Sequence, residues 1–205
     1  MRVLTVLRTG GEYSERHVIW LQKQLKVPIY CLTDSTEAMP NVTTIPMKHS
    51  FPGWWSKLEM FSPDIPFENF LYTDLDAVFL DGVPDCINFL KNTTVLVHVG
   101  IQFKDTINSG LMFINTKDSP PIWDEFIKDP DYWMKFYKLE GDQGFINRHL
   151  HDADAWQIKF PGLVASYKAN YLRNGSRPFT HEKIIVFHGV PRPWDVKNCE
   201  WIPKL

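Results

Sequence analysis

Cysteine is scarce in this 205-residue chain, with three residues, Cys31, Cys86 and Cys199, odd in number and far apart. They have neither the pairing of a disulfide framework nor the short spacing of a metal-binding cluster, so reduced structural thiols are expected. Long apolar runs are missing as well, and none approaches the roughly 18 to 20 residues that a membrane span needs. The opening segment, Met1 to Arg8, turns polar too soon for a signal peptide and reads as a first β-strand. A soluble, cytoplasmic protein is therefore expected, on which the sequons at Asn41, Asn92 and Asn174 have no bearing. Nor is there an excess of charge, with 22 basic against 24 acidic residues and a net charge of -2. Without a basic field, nucleic acid is not an expected partner. Internal repeats, low-complexity tracts, linkers and a glycine-rich phosphate loop followed by lysine are likewise lacking.

What the chain does have is enough apolar residue, 44% of the total, for one substantial core and most simply one domain. Val3 to Leu7 alternates into a strand that stops at Arg8-Thr9-Gly10-Gly11. Ser14 then caps a helix-like spacing of His17, Val18, Leu21 and Leu25. Ile29 to Leu32 and Val42 to Ile45 are the next strands, the latter after the Pro40-Asn41 break. Trp54 to Phe61 reads as a helix leading through a proline-containing loop to a further strand, Phe70 to Tyr72. Beyond Gly82, a short helix is expected over Val83 to Leu90 and a strand over Val95 to Val99. Asn108-Ser109-Gly110 opens a strand over Leu111 to Ile114, Pro121 to Ile127 reads as a helix with proline in its first turn, and Gly141 begins another. Ile184 to Phe187 is the last strand, and the proline-rich His188 to Trp194 follows it. Strands alternating with helices predict an α/β fold with a mostly parallel central sheet.

The strand around Phe70 to Tyr72 ends abruptly in Asp74-Leu75-Asp76. In an open parallel sheet that C-terminal edge is where ligands bind, and two hard oxygen donors close in sequence suit Mn²⁺ or Mg²⁺, which take remaining ligands from substrate phosphates. A surface Asp-x-Asp in a turn is the commoner origin of so short a pattern. His188, at the end of another strand, completes a three-ligand site if the two strands are neighbours. Arg192, four residues on, offers a fixed cation and a planar fork for phosphate oxygens. Trp54, Trp55, Trp133, Tyr167 and Trp194 are aromatics able to stack on sugars, although most large aromatics serve the core.

Four blocks in order, Tyr72-Thr73-Asp74-Leu75-Asp76, Asn108 to Asn115, Gly141 to Asn147 and His188 to Trp194, resemble the motifs of GT-A glycosyltransferases. They are most similar to the retaining glycogenin-like and lipopolysaccharide-galactosyltransferase-like family. The resemblance implies a Rossmann-like GT-A domain over 1–205, with a small additional β element near the metal site, a nucleotide-binding half over 1–100 and a donor-sugar and acceptor half over 101–205. It implies transfer of a sugar from a nucleotide diphosphate sugar, a UDP-sugar foremost, to the hydroxyl of a glycan, lipid-linked or protein acceptor. Asp74, Asp76 and His188 would be the ligands of Mn²⁺ or Mg²⁺. The donor would meet Arg8, Thr9, Tyr13, Lys57, Asp74, Leu75, Asn108, Ser109, Gly189 and Arg192, with Asp142 and Gln143 as the catalytic pair at the sugar. Arg192 stands where the family has a lysine before Pro-Trp, which keeps the charge and changes its geometry. The Arg8 to Tyr13 segment meets the family pattern only loosely. Asp34 is a further nucleotide candidate, and Ser166-Tyr167-Lys168 a candidate substrate loop. A metal-dependent nucleotidyltransferase or phosphohydrolase, and a non-catalytic sugar-nucleotide-binding protein of the same fold, are the competing readings.

Overall fold

The computed structural model describes residues 1–90, 96–99, 107–117, 121–150, 153–172 and 181–205. Its main sheet is built on β1 (Val3–Leu7), which pairs in parallel with β2 (Ile29–Thr33) on one side and β4 (Asn69–Thr73) on the other. β2 continues in parallel to β3 (Val42–Pro46). Helix α1 (Glu15–Leu25) makes the crossover from β1 to β2. Ser14 stands at its N-cap, Glu15 in its first turn and Lys23 in its last, a charge order that suits the helix dipole. Lys26 ends it in the left-handed region at φ 57°.

Two antiparallel steps extend the sheet. β4 pairs with β7 (Ile107–Asn115), and β7 with β6 (Leu96–Val99), beyond which β8 (Asp154–Ala155) closes the order β3-β2-β1-β4-β7-β6-β8. Because strand side chains alternate between faces, the sheet feeds two cores. Val3, Leu7, Leu71 and Phe113 pack with Val18, Leu21 and Leu25 of α1. Leu4, Phe70, Tyr72, Met112 and Ile114 face the opposite layer. That layer is a 3₁₀ segment over Gly53–Phe61, followed by α2 (Ile122–Phe126), α3 (Pro130–Phe136) and α4 (Gly141–His149). Phe126 is its hub, stacked on Trp55 at 6.0 Å and edge-on to Phe145 at 5.5 Å.

A second, three-stranded sheet holds the expected additional β element. β5 (Ala77–Phe79) begins directly after the acid pair and runs antiparallel to β10 (Ile184–Val186), which is parallel to β9 (Val164–Ser166). β9 follows the four-residue helix α5 (Trp156–Lys159).

Several local readings are corrected. Trp54 to Phe61 is 3₁₀ rather than α-helical, and the segment begins after Pro52, whose extended backbone sets its start. The Val83 to Leu90 helix contracts to a 3₁₀ turn over Asp85–Phe89, since Pro84 has an extended backbone and disfavours the helical region at Val83 before it. β7 begins at Ile107, so Asn108 to Gly110 lie inside the strand rather than ahead of it. Glu140 is the N-cap of α4, and Asp142 lies in its first turn. Ser166 ends β9, and Tyr167–Leu172 is a short π-helical segment rather than a loop. Val95, Asn92 and Asn174 lie outside the described residues. No described helix is long and apolar enough to cross a membrane.

Candidate functional site

β1 and β4 point their C-terminal ends at the same edge, and the acids emerge there. Thr5 anchors that edge by donating its hydroxyl to the Thr73 carbonyl at 2.9 Å. The Asp74 N–H donates to the Gly110 carbonyl at 2.8 Å and prolongs the β4–β7 ladder by one step. His188 arrives by a different route. In the second sheet Ala77 pairs with Val186, so the residue before β5, Asp76, and the residues after β10 meet at one end of that pair. The adjacency required of the two aspartates and the histidine is thus a matter of strand register. All three line a cavity of about 840 Å³.

Two cations hold the two acids. Lys57, buried on the 3₁₀ segment, places its Nζ 3.1 Å from Asp74 Oδ1 and 2.9 Å from Asp142 Oδ2, and donates to Ser109 Oγ at 3.2 Å. Burial alone drives its pKa down, but the charges of Asp142 and Asp74 outweigh this and hold it above the ordinary lysine value. Asp142 shows the reverse balance, raised by burial and by Asp74 against the pull of Lys57. Tyr72 donates its hydroxyl to Asp74 from below. Arg192 serves Asp76. It forms an ion pair with that carboxylate, turns its other edge to Glu12 through contacts of 2.8 and 2.7 Å, and lies 5.2 Å above the Tyr13 ring. Asp76 itself is pushed up to about 7, first by burial and then by the neighbouring Asp74, with Arg192 opposing both.

Farther along, Gln143 Oε1 accepts from Asn108 Nδ2 at 3.2 Å, and that amide also lies 2.9 Å from His188 Nδ1. Ser109 donates its hydroxyl to Asp142 at 3.1 Å. Gly110 makes this crowding possible, since a Cβ there would lie 2.8 Å from Asn108 Oδ1 and 3.0 Å from Asp74 Oδ2. Burial, and then the nearby Lys168, lower the His188 pKa to about 4, so its imidazole is neutral near pH 7.

Of the residues singled out from the sequence, Lys57, Asp74, Leu75, Asp76, Asn108, Ser109, Asp142, Gln143, His188, Gly189 and Arg192 all line this cavity, as do Arg8 and Tyr13 at its other end. Thr9 does not line it, since its N–H and hydroxyl are turned to Asp34 at 2.8 and 3.0 Å, and Arg8 also pairs with Asp34 at 3.2 Å. Asp34 therefore holds the loop after β1 in place. Lys168 donates to the His188 carbonyl, and Tyr167 is buried against Phe187 at 4.3 Å. Glu12 escaped the sequence reading, because a lone acid after two glycines carries no motif.

The donor set suits a hard divalent cation in its chemistry, with two carboxylates and a neutral imidazole lining one cavity and a buried Asp76 whose pKa burial and Asp74 raise despite Arg192. In their present positions the donors do not close on a point. Among the described residues, no three His, Cys, Asp or Glu side chains are grouped closely enough to hold a metal ion. Arg192 and Lys57 occupy the acids instead.

An open sheet with an acid pair at its C-terminal edge, joined by a second small sheet, is a fold similar to that of solved GT-A glycosyltransferases. Solved structures agree. The galactosyltransferase LgtC, crystallised with donor and acceptor sugar analogues, superposes with a TM-score of 0.64 over 97% of this chain and 91% of that one, at 12% identity. The glycosyltransferase GlyE of Streptococcus pneumoniae TIGR4 gives a TM-score of 0.61 at 15% identity, over 95% of this chain and 56% of that one. Mouse xyloside xylosyltransferase 1 gives 0.52 at 12% identity, over 93% and 97% of the two chains. No protein-family model matches the chain, and no curated protein matches it in sequence.

Proposed function

We propose that this protein transfers a sugar from a nucleotide diphosphate sugar, a UDP-sugar foremost, to an acceptor hydroxyl with retention of configuration and with help from a divalent cation. The observation that carries this reading is the meeting of Asp74, Asp76 and His188 with Lys57 and Arg192 on one cavity, where strands from two sheets end. Asp74, Asp76 and His188 would hold Mn²⁺ or Mg²⁺, which when bound supplies neutralising charge to a diphosphate leaving group.

The chain's own residues divide the remaining work. Arg192 presents its fork to diphosphate oxygens, and Glu12 and Tyr13 keep it at the nucleotide end. Asn108 and Gln143 orient the sugar. Asp142, tied to Lys57 and Ser109, sets a negative field at that end without being free to act as a nucleophile. In the transfer step the acceptor oxygen bonds to the anomeric carbon. The carbon–oxygen bond to the diphosphate breaks with both electrons on the diphosphate, and the hydroxyl proton passes to that oxygen. Retention by this route needs no separate general base.

The test is thermal stabilisation by a panel of UDP-, GDP- and ADP-sugars beside nucleoside triphosphates, each with MnCl₂, since a ligand that binds only the native state raises its Tm. Nucleotide sugars are expected to stabilise the wild type and to lose that effect, together with Mn²⁺-dependent turnover, in Asp76→Asn. Stabilisation by triphosphates alone would replace this reading with nucleotidyl transfer.

A further inference from the structure

Contacts within the cavity set an order. Glu12 and Tyr13 hold Arg192, Arg192 holds Asp76, Asp74 shares Lys57 with Asp142, and Asp142 follows Gly141, on which Trp54 rests. Trp54 is the far end of that series. It is 59% exposed, while Trp55 beside it is 6% exposed and stacked into the core on Phe126. The two neighbours do different things.

Trp54 is exposed but not loose. A Cβ on Gly141 would lie 2.8 Å from the indole Nε1 and 3.1 Å from Cε2, so the absent side chain makes the seat for the ring. Gly141 also has φ +67°, a conformation glycine takes at little cost and other residues resist. The residue next to Gly141 is Asp142. A large flat apolar ring is thereby fixed relative to the end of the cavity where the sugar would react, with the exposed Leu139 and the acid and amide of Glu140 and Gln143 lining the same space.

We propose that Trp54 is the acceptor platform, and that the acceptor is a carbohydrate which lays the C–H face of a pyranose ring on the indole. The inference rests on the sugar-transfer reading and names its second substrate. The negative face of an aromatic ring attracts the positively polarised C–H groups of a sugar, while the flanking acid and amide meet its hydroxyls. A peptide acceptor would be recognised through backbone pairing along a free strand edge, which a single plate does not provide. Trp54 thus contributes binding and register, Glu140 and Gln143 border the acceptor, and Asp142 acts on the donor side.

The test uses the full chain with MnCl₂ and UDP, and as probes the methyl α- and β-glucosides and galactosides, lactose, maltose and cellobiose, followed by saturation-transfer NMR. At least one sugar is expected to bind the wild type. Its affinity should fall about tenfold or more in Trp54→Ala, as for a stacked anchor removed from an interface. In Trp54→Tyr it should stay within about threefold, because a flat ring remains. UDP affinity, measured by calorimetry, serves as the control for folding and for the donor end, and should be equal in all three proteins. Equal sugar binding by wild type and Trp54→Ala overturns the proposal, as does a wild type that binds UDP and none of the sugars. Trp54-dependent sugar binding without any UDP binding would leave the platform standing and remove the nucleotide-sugar reading.

Discussion

Lys57 and Arg192 each neutralise one member of the acid pair, and they do so in opposite surroundings. Lys57 is enclosed, its ammonium shared between two carboxylates and a serine, with Tyr72 beneath it. Arg192 lies at the mouth, its guanidinium divided between the buried Asp76 and the half-exposed Glu12. A cation sealed against the buried Asp142 is part of the fold, because taking it away strands a charge that water cannot reach. A cation at the mouth can trade one oxygen partner for another. The same local charge count therefore serves stability on one side of Asp74 and ligand exchange on the other.

Lys57→Met should have the largest effect. It leaves Asp142 and Asp74 facing each other without a counter-ion and is expected to destabilise the protein by about 3–5 kcal/mol in urea unfolding. Arg192→Met should cost about 1 kcal/mol or less, since Asp76 can take up a proton instead of keeping its partner. Equal losses in the two variants would end the distinction.

Ligand binding should rank the two cations the other way. Arg192→Ala is expected to weaken UDP binding in the presence of Mn²⁺ by roughly tenfold to a hundredfold, the range for losing charge-assisted hydrogen bonds to a phosphate. The same variant should bind Mn²⁺ more tightly without nucleotide, because a competitor for Asp76 has gone. Calorimetric titration reads both, and weaker Mn²⁺ binding in the absence of nucleotide would contradict the exchange role of Arg192.

Glu12→Gln should have a smaller effect, of a few fold. Removing the outer carboxylate leaves Arg192 to Asp76 alone, so Mn²⁺ binding by the free protein should weaken, opposite in sign to Arg192→Ala. An unchanged affinity would mean that Glu12 does no more than fill the mouth.

This contrast between the cations is the part of the site that the sequence hides. Asp74, Asp76 and His188 are visible as motifs because each follows closely on a strand end, and Arg192 because it sits in a proline-rich segment, and strand ends and loops are marked by apolar runs and by glycine or proline. The pairing of β5 with β10, which brings Asp76 and His188 together, joins segments more than a hundred residues apart and leaves no local pattern. β5 is three residues long, too short for periodicity to declare it. Glu12 has the same difficulty, and Trp54, although one of five aromatics able to stack on a sugar, is not set apart from Trp55 by anything in the sequence. An acid after Gly10-Gly11 and a tryptophan before another tryptophan acquire meaning only from Arg192 in one case and Gly141 in the other. The α/β layering was legible, because the alternation in β1 and the helical spacing in α1 point the same way, but the division of the expected single core into two, one on each face of the sheet, was not. The 3₁₀ character of Gly53–Phe61 was not, since its apolar residues serve a helix of either pitch.

The last prediction concerns pH, and it separates Asp76 from the rest of the site. Its folded-state pKa of about 7 lies above that of an ordinary unfolded carboxylate, near 4. Below pH 4 the carboxyl is protonated in both states and contributes nothing. Between about 4 and 7 the native protein keeps a proton that the unfolded chain has released, so stability must fall as pH rises through this window. Above it, the buried carboxylate carries its full desolvation cost against Asp74, which Arg192 offsets in part. Asp76→Asn removes the titration. Its Tm should therefore approach the wild type below about pH 4 and exceed it at pH 8, with Arg192 and Glu12 present in both proteins. Mn²⁺ should in turn raise the wild-type Tm more at pH 8 than at pH 6, since the cation binds the ionised acid. A difference curve that is flat between wild type and Asp76→Asn would show that Arg192 already compensates Asp76 in full, and would erase the contrast between the cation at the mouth and the cation in the core.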